Sequence, residues 1–165
     1  MKRPLSPAFI SGSMVQEILA TDPGALQDGK YNPEPLKSRS REMGIPATIL
    51  VDKNVPAGVN EVEVHRHEAD LWICIDGEAH FKAGGKLVEP YAKKKGKDGT
   101  VNDLELKSKK IEGADTYTLH AGDILYIPEG VPHVHYTETE GYARLWIIKI
   151  PAKEPFPLLS VPGWK

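Results

Sequence analysis

From Ile45 onward the chain is written in short runs: "VNEVEVHRH", "DLWICIDG", "EAHFKAGGKL", "TYTLHAGDILYIP", "VPHVHYTET" and "YARLWIIKI", each bounded by Gly, Pro, Asn or Asp. Apolar and polar positions alternate, or apolar residues cluster, over lengths too short for helices, and many short strands at this spacing predict an all-β sandwich or barrel over residues 45–151. Two stretches break the pattern. Residues 1–44 read as an N-terminal arm with one short helix, where Ser13 and Gln16 form a capping-box spacing and Val15, Ile18 and Leu19 share a face; Asp22-Pro23 can start a further turn that Gly29 ends, and "YNPEPLKSRSREMG" reads as loop. Residues 86–112 are polar and read as a solvated loop or hairpin. The tail, 152–165, carries Phe156, Leu158, Leu159, Val161 and Trp164 among three prolines, a pattern that rules out a helix and predicts an extended segment packed on the barrel or on a dimer partner.

Composition narrows the function classes. A chain of 165 residues, 40% hydrophobic and 27% charged, is long enough for one domain with its own core. Its formal net charge of -2 gives no pull toward a polyanion, so no nucleic-acid partner is expected, and no membrane segment is read from its hydropathy. The single cysteine, Cys74, falls in a predicted buried strand and reads as a small packed residue; a lone unpaired thiol suits a cytoplasmic location.

The chemistry-bearing residues sit in two of the predicted strands. Side chains two apart in a strand share a face, so His65 and His67 would project together, on the side of Glu61 and Glu63, and His133 and His135 would do the same. Each pair alone could be a polar row facing water. Two such pairs, with Asp70 following the first, point instead to shared coordination of a metal ion.

The stretch "GDILYIPEGVPH" supplies the resemblance. Gly122, five residues, Pro128, one residue, Gly130, two residues, His133 matches the second conserved motif of the cupin family, with Thr137 where that motif usually ends in Asn. The first cupin motif (Gly, five residues, His-x-His, three or four residues, Glu, six residues, Gly) resembles the segment from Gly58 to Gly77, with Asp70 in place of Glu. Two registers fit it. One takes His65 and His67 as the pair and absorbs a one-residue slip in a bulge; the other keeps four residues between His65 and Asp70 and puts Glu63 and His65 in the ligand places.

The resemblance covers residues 45–150 and implies a cupin-type jelly-roll β-barrel binding one divalent transition metal (Fe, Mn, Ni, Co or Zn) through His65, His67, Asp70 and His133, with Glu63 in reserve. It further implies metal-dependent conversion of a small polar metabolite by dioxygenase or lyase/isomerase chemistry. His135, Tyr126 and Tyr136 are the candidates to move protons, and Trp72 and Arg144 the candidates to line the substrate pocket. A homodimer is expected. The alternative is a non-catalytic cupin that binds a small metabolite without metal.

Overall fold

The computed structural model describes residues 8–20, 29–31, 34–95 and 98–165. Among them the chain runs α1 (Gly12–Leu19), β1 (Gly29–Tyr31), α2 (Leu36–Met43), β2 (Ala47–Lys53), β3 (Val62–His65), β4 (Glu68–Ala83), β5 (Lys86–Val88), β6 (Tyr91–Lys95), β7 (Thr100–Ser108), β8 (Lys110–Glu112), β9 (Asp115–His120), β10 (Ile124–Ile127), β11 (His133–Tyr136) and β12 (Tyr142–Pro151). The 16-residue β4 ties the architecture together. Its first half pairs with β12 and β10, its second half with β11 and β9. One sheet then extends through β12 to β2 and β1, the other through β11 to β3, β7 and β6, all antiparallel. Gly77 stands where β4 passes between them at φ +75, against the Tyr142 carbonyl, so a side chain there would meet both a disfavoured backbone angle and a backbone oxygen. The result is a jelly-roll barrel, all-β apart from the helices of the arm.

Strand alternation sorts the side chains into three apolar layers. The barrel interior holds Leu50, Trp72, Cys74, Phe81, Leu145 and Ile147. On the outer face of one sheet, the arm packs Ile18 and Leu36 over Ile49 and Trp146. On the outer face of the other, Val62, Val64, Leu106 and Val134 are covered by the tail through Val161, Phe156 and Trp164. The tail lies on the barrel of its own chain: Phe156 N donates to Arg66 O at 2.6 Å, Arg66 Nε donates to Phe156 O at 2.8 Å, and Leu87 N donates to Pro162 O at 3.0 Å. No helix among the described residues is long and apolar enough to cross a membrane.

Three local expectations change. The first helix is capped by Ser11, whose side chain accepts from Met14 N at 3.2 Å, so the cap lies two residues before Ser13. The segment read as loop contains α2. Its sequence is polar and follows Pro35, which hides the single anchor, Leu36, fully buried beneath it; Ser40 fastens the helix to β2 by accepting from Ala47 N at 2.9 Å, and Gly44 ends it at φ 64. The further turn expected from Asp22 lies outside the described residues. Finally, of the loop and the hairpin expected for residues 86–112 the structure has the hairpin, and more strand besides: the β6–β7 hairpin edges the second sheet, and β5 pairs with β8. The polar composition there reflects one wet face, while Leu106 on the other face is fully buried.

Candidate metal centre

β3 alternates Val62 and Val64 toward the tail with Glu63 and His65 toward the barrel interior. The strand then stops. Arg66 bends the chain, donating its backbone N–H to Leu104 O at 2.8 Å and its side chain to Phe156 O and Asp103 O, and β4 starts at Glu68 with Asp70, Trp72 and Cys74 facing inward. The neighbouring strand β11 brings His133 directly opposite Glu63.

Four side chains meet there. His65 Nε2 lies 3.6 Å from Glu63 Oε1 and 3.7 Å from Asp70 Oδ2; His133 Nε2 lies 3.8 Å and 3.4 Å from the same two oxygens. Donor atoms of Glu63, His65 and His133 gather within 4.8 Å of one another, as do those of His65, Glu68 and Asp70. His133 and Asp70 are almost wholly buried, whereas Glu63 keeps one fifth of its side chain exposed and gives the cluster its access to solvent.

The donor set fits a metal ion, and His133 shows why. Its Nδ1 donates to Val131 O at 3.0 Å, so in the neutral ring Nε2 carries a lone pair, and it faces carboxylate oxygens that are also acceptors. Lone pair against lone pair is repulsive unless a proton or a metal ion stands between them, and a metal ion can engage all four side chains at once. His133 Nε2, both ring nitrogens of His65 and Asp70 Oδ2 are buried without a hydrogen-bond partner, each a loss of about 1–3 kcal/mol in isolation. Donors around an ion at about 2.0–2.1 Å stand about 2.9–3.4 Å apart, so these gaps would close by a few tenths of an ångström.

Titration points the same way. Burial alone would raise both carboxyls, but the nearby His133 imidazole, with the charges of His65 and Lys149, brings Asp70 down to about 2, and the nearby His65 and His133 imidazoles, with the charge of Lys107, hold Glu63 well below the usual range. Burial would lower His133; the neighbouring Asp70 and Glu63 carboxylates, with the bond to Val131 O, outweigh that and raise it.

Of the residues singled out in the sequence, His65, Asp70 and His133 come together, joined by Glu63. His67 does not join them. Because β3 ends at His65, the two-residue spacing no longer sets a common face, and the His67 side chain is one third exposed beside Glu68, its Nε2 3.4 Å from Glu68 Oε2. The geometry brings Glu63, and not His67, beside His65 and His133.

His135 points into the barrel, its Nδ1 donating to Asp52 Oδ2 at 2.6 Å and its ring 5.1 Å from Trp72. Trp72 is 1% exposed, packed edge-on against Phe81, and its indole N–H has no partner. Arg144 sits away from the cluster: β12 turns Ala143, Leu145 and Ile147 inward, so Arg144 faces the arm, paired with Asp76 and donating to Leu19 O. Tyr126 lies half exposed on the outer side of β10, and Tyr136 stacks on His80 on the outer face of the second sheet, neither beside the four donors. Cys74 is packed in the core, where burial pushes its thiol up to about 11. Thr137, at the place of the motif's Asn, ties β11 to the β2–β3 connection by accepting from Val55 N at 3.0 Å.

Four residues at the site carried no flag in the sequence reading: Glu68, Lys107, Lys149 and Asp52. Lys149 Nζ donates to Asp70 Oδ1 and Lys107 Nζ to Glu63 Oε2, each at 2.6 Å. A signal existed for Lys149, since it ends the inward apolar row of "ARLWIIK".

Residues 39–152 match the JmjC domain family, well over half of the chain. Among solved structures, the chain is similar to BH2720 from Bacillus halodurans, at 13% identity over 68% of this chain and 66% of that one with a TM-score of 0.43. It is similar to hydroxypropylphosphonic acid epoxidase from S. wedmorenis, at 16% identity over 67% of this chain and 45% of that one with a TM-score of 0.44. A conserved protein with a double-stranded beta-helix domain from Klebsiella pneumoniae aligns at 17% identity over 67% of this chain and 73% of that one, with a TM-score of 0.41. This chain thus spans less than two thirds of the first of these and under half of the epoxidase. No curated protein matches it in sequence. With its barrel, its two motif segments and a match running from α2 to the end of β12, the chain belongs to the JmjC domain family and is a member of the cupin superfamily.

Proposed function

We propose that this protein is a metal-dependent enzyme acting on a small polar metabolite, with one divalent transition metal held by Glu63, His65, Asp70 and His133. The observation that carries this reading is the lone pair of His133 Nε2 facing two carboxylate acceptors in a buried site. Bound there, Fe, Mn, Ni, Co or Zn would supply Lewis acidity and, for Fe(II), oxygen chemistry. The chain's own residues supply the remainder. Val131 O fixes the His133 ring so that Nε2 is the ligating nitrogen. Asp52 orients His135 through Nδ1, leaving Nε2 to take up or release a proton. The unpartnered Trp72 N–H is a donor for a substrate oxygen. Dioxygenase and lyase/isomerase chemistry are the two reaction classes this set serves. The reading takes the protein to work as a homodimer, which sedimentation equilibrium checks.

One observation favours the other reading, a metabolite-binding barrel without metal: Lys149 and Lys107 already balance Asp70 and Glu63. Neither lysine satisfies the imidazoles, which is why the metal reading is preferred. Elemental analysis separates the two. The purified protein is expected to carry near-stoichiometric transition metal that His133→Ala removes; protein that is metal-free and cannot be reconstituted would overturn the enzyme reading. Oxygen uptake by the Fe(II)-loaded protein with phenolics, thiols and keto acids then separates dioxygenase from lyase/isomerase chemistry.

A further inference from the structure

Each carboxylate of the cluster is divided between two duties. Asp70 gives Oδ1 to the Lys149 ammonium at 2.6 Å and turns Oδ2 to the imidazoles; Glu63 gives Oε2 to Lys107 at 2.6 Å and turns Oε1 to the same imidazoles. Both lysines are placed by strand register, Lys149 directly opposite Asp70 and Lys107 directly opposite Glu63. Lys149 is the less expected of the two. It follows Ala143, Leu145 and Ile147 on the inward face of β12, is only 7% exposed, and has Glu68 Oε1 3.4 Å away as a second anion. An apolar residue would continue that row without any desolvation of charge, so the ammonium is there for what it does to the carboxylates.

Resting on the metal reading of this cluster, we propose that Lys149 and Lys107 are positioning residues that confine Asp70 and Glu63 to one metal-facing oxygen each and hold down the site's affinity for cations. A carboxylate with a lysine on one oxygen has only the other to give. The two ammoniums also cancel the two carboxylates, so a divalent ion entering among neutral imidazoles gains little from net charge and is held chiefly by nitrogen. That balance favours transition ions over Mg(II) and Ca(II), which depend on oxygen.

The sign of the effect makes the test decisive. Lys149→Met and Lys107→Met keep the apolar stem and remove the charge. Zn(II) affinity of the full chain is measured by competition with a chromophoric chelator, and the visible spectrum of the Co(II)-loaded protein reports on its coordination. Each methionine variant is expected to bind Zn(II) at least tenfold more tightly and to show weaker, shifted Co(II) bands as the freed oxygen joins the ion, while Lys107→Arg stays near the parent. A lysine serving the fold alone would leave affinity unchanged or lower it. Unchanged or weaker binding with an unchanged spectrum overturns the proposal. Should Lys149→Met fail to fold, Lys107→Met, at a partly exposed position, decides by the same criteria. If the parent protein binds neither Zn(II) nor Co(II), the metal reading itself fails and this inference with it; if the parent binds and the methionine variants match it, only the inference fails.

Discussion

The chain contains two His-x-His pairs of identical spacing, and they end in opposite arrangements. His133 and His135 both lie within β11, so both point into the barrel, one to the carboxylates and one to Asp52. His65 and His67 straddle the end of β3: the first reaches the cluster, and the second, past the bend at Arg66, sits partly exposed beside Glu68. A spacing of two places residues on one face only while the strand continues. What interrupts β3 is remote in sequence, since the Arg66 side chain is held by the Phe156 and Asp103 carbonyls.

The sharpest way to break the comparison is to delete one member of the first pair at a time. His65→Ala is expected to weaken metal binding by more than the roughly hundredfold that loss of an outer partner causes, and His67→Ala by less than about threefold; dialysis followed by metal analysis reads both. Equal losses would restore the pair reading for residues 65 and 67. A smaller effect separates the members of the second pair. His135→Ala leaves the 3%-exposed Asp52 without its partner and is expected to lower stability by about 3 kcal/mol in chemical denaturation. The third contrast is in pH. Because the His133 pKa is raised, that ring stays protonated to a higher pH than free imidazole, at about 6.5, and a metal must displace its proton. Apparent affinity is therefore expected to begin falling, as pH is lowered, while still above about 6.5, by up to roughly tenfold per pH unit for each proton displaced. His67→Ala should leave this profile where it is. In the metal-free protein the lowered Asp70 carboxyl acts in the same direction on stability, at lower pH: its stabilisation is present above its unfolded value of about 3.9 and is lost as pH falls toward about 2.

Much of the barrel was legible because alternation records which face is wet. In "DLWICIDG" and "YARLWIIKI" the strand faces follow directly from counting by two, and the glycine-proline punctuation of "GDILYIPEGVPH" marks the turn that delivers His133. The polar stretch 86–112 was less so, since β7 is mostly polar and buries only Leu106 of its apolar residues, on the face covered by the tail. The arm's second helix was hidden for a similar reason: one buried leucine and one seryl hydroxyl anchor eight otherwise polar residues.

By itself the sequence determined the strand-rich barrel, its two motif segments and the residue types able to bind a cation, because periodicity and turn chemistry are local properties of the chain. Which of those residues meet was decided only by the tertiary structure. Register across β3, β7, β11, β4 and β12 sets Glu63 between His133 and Lys107 and sets Asp70 against Lys149. That register comes from packing between segments far apart in sequence, 79 residues for Asp70 and Lys149, and no local pattern specifies it.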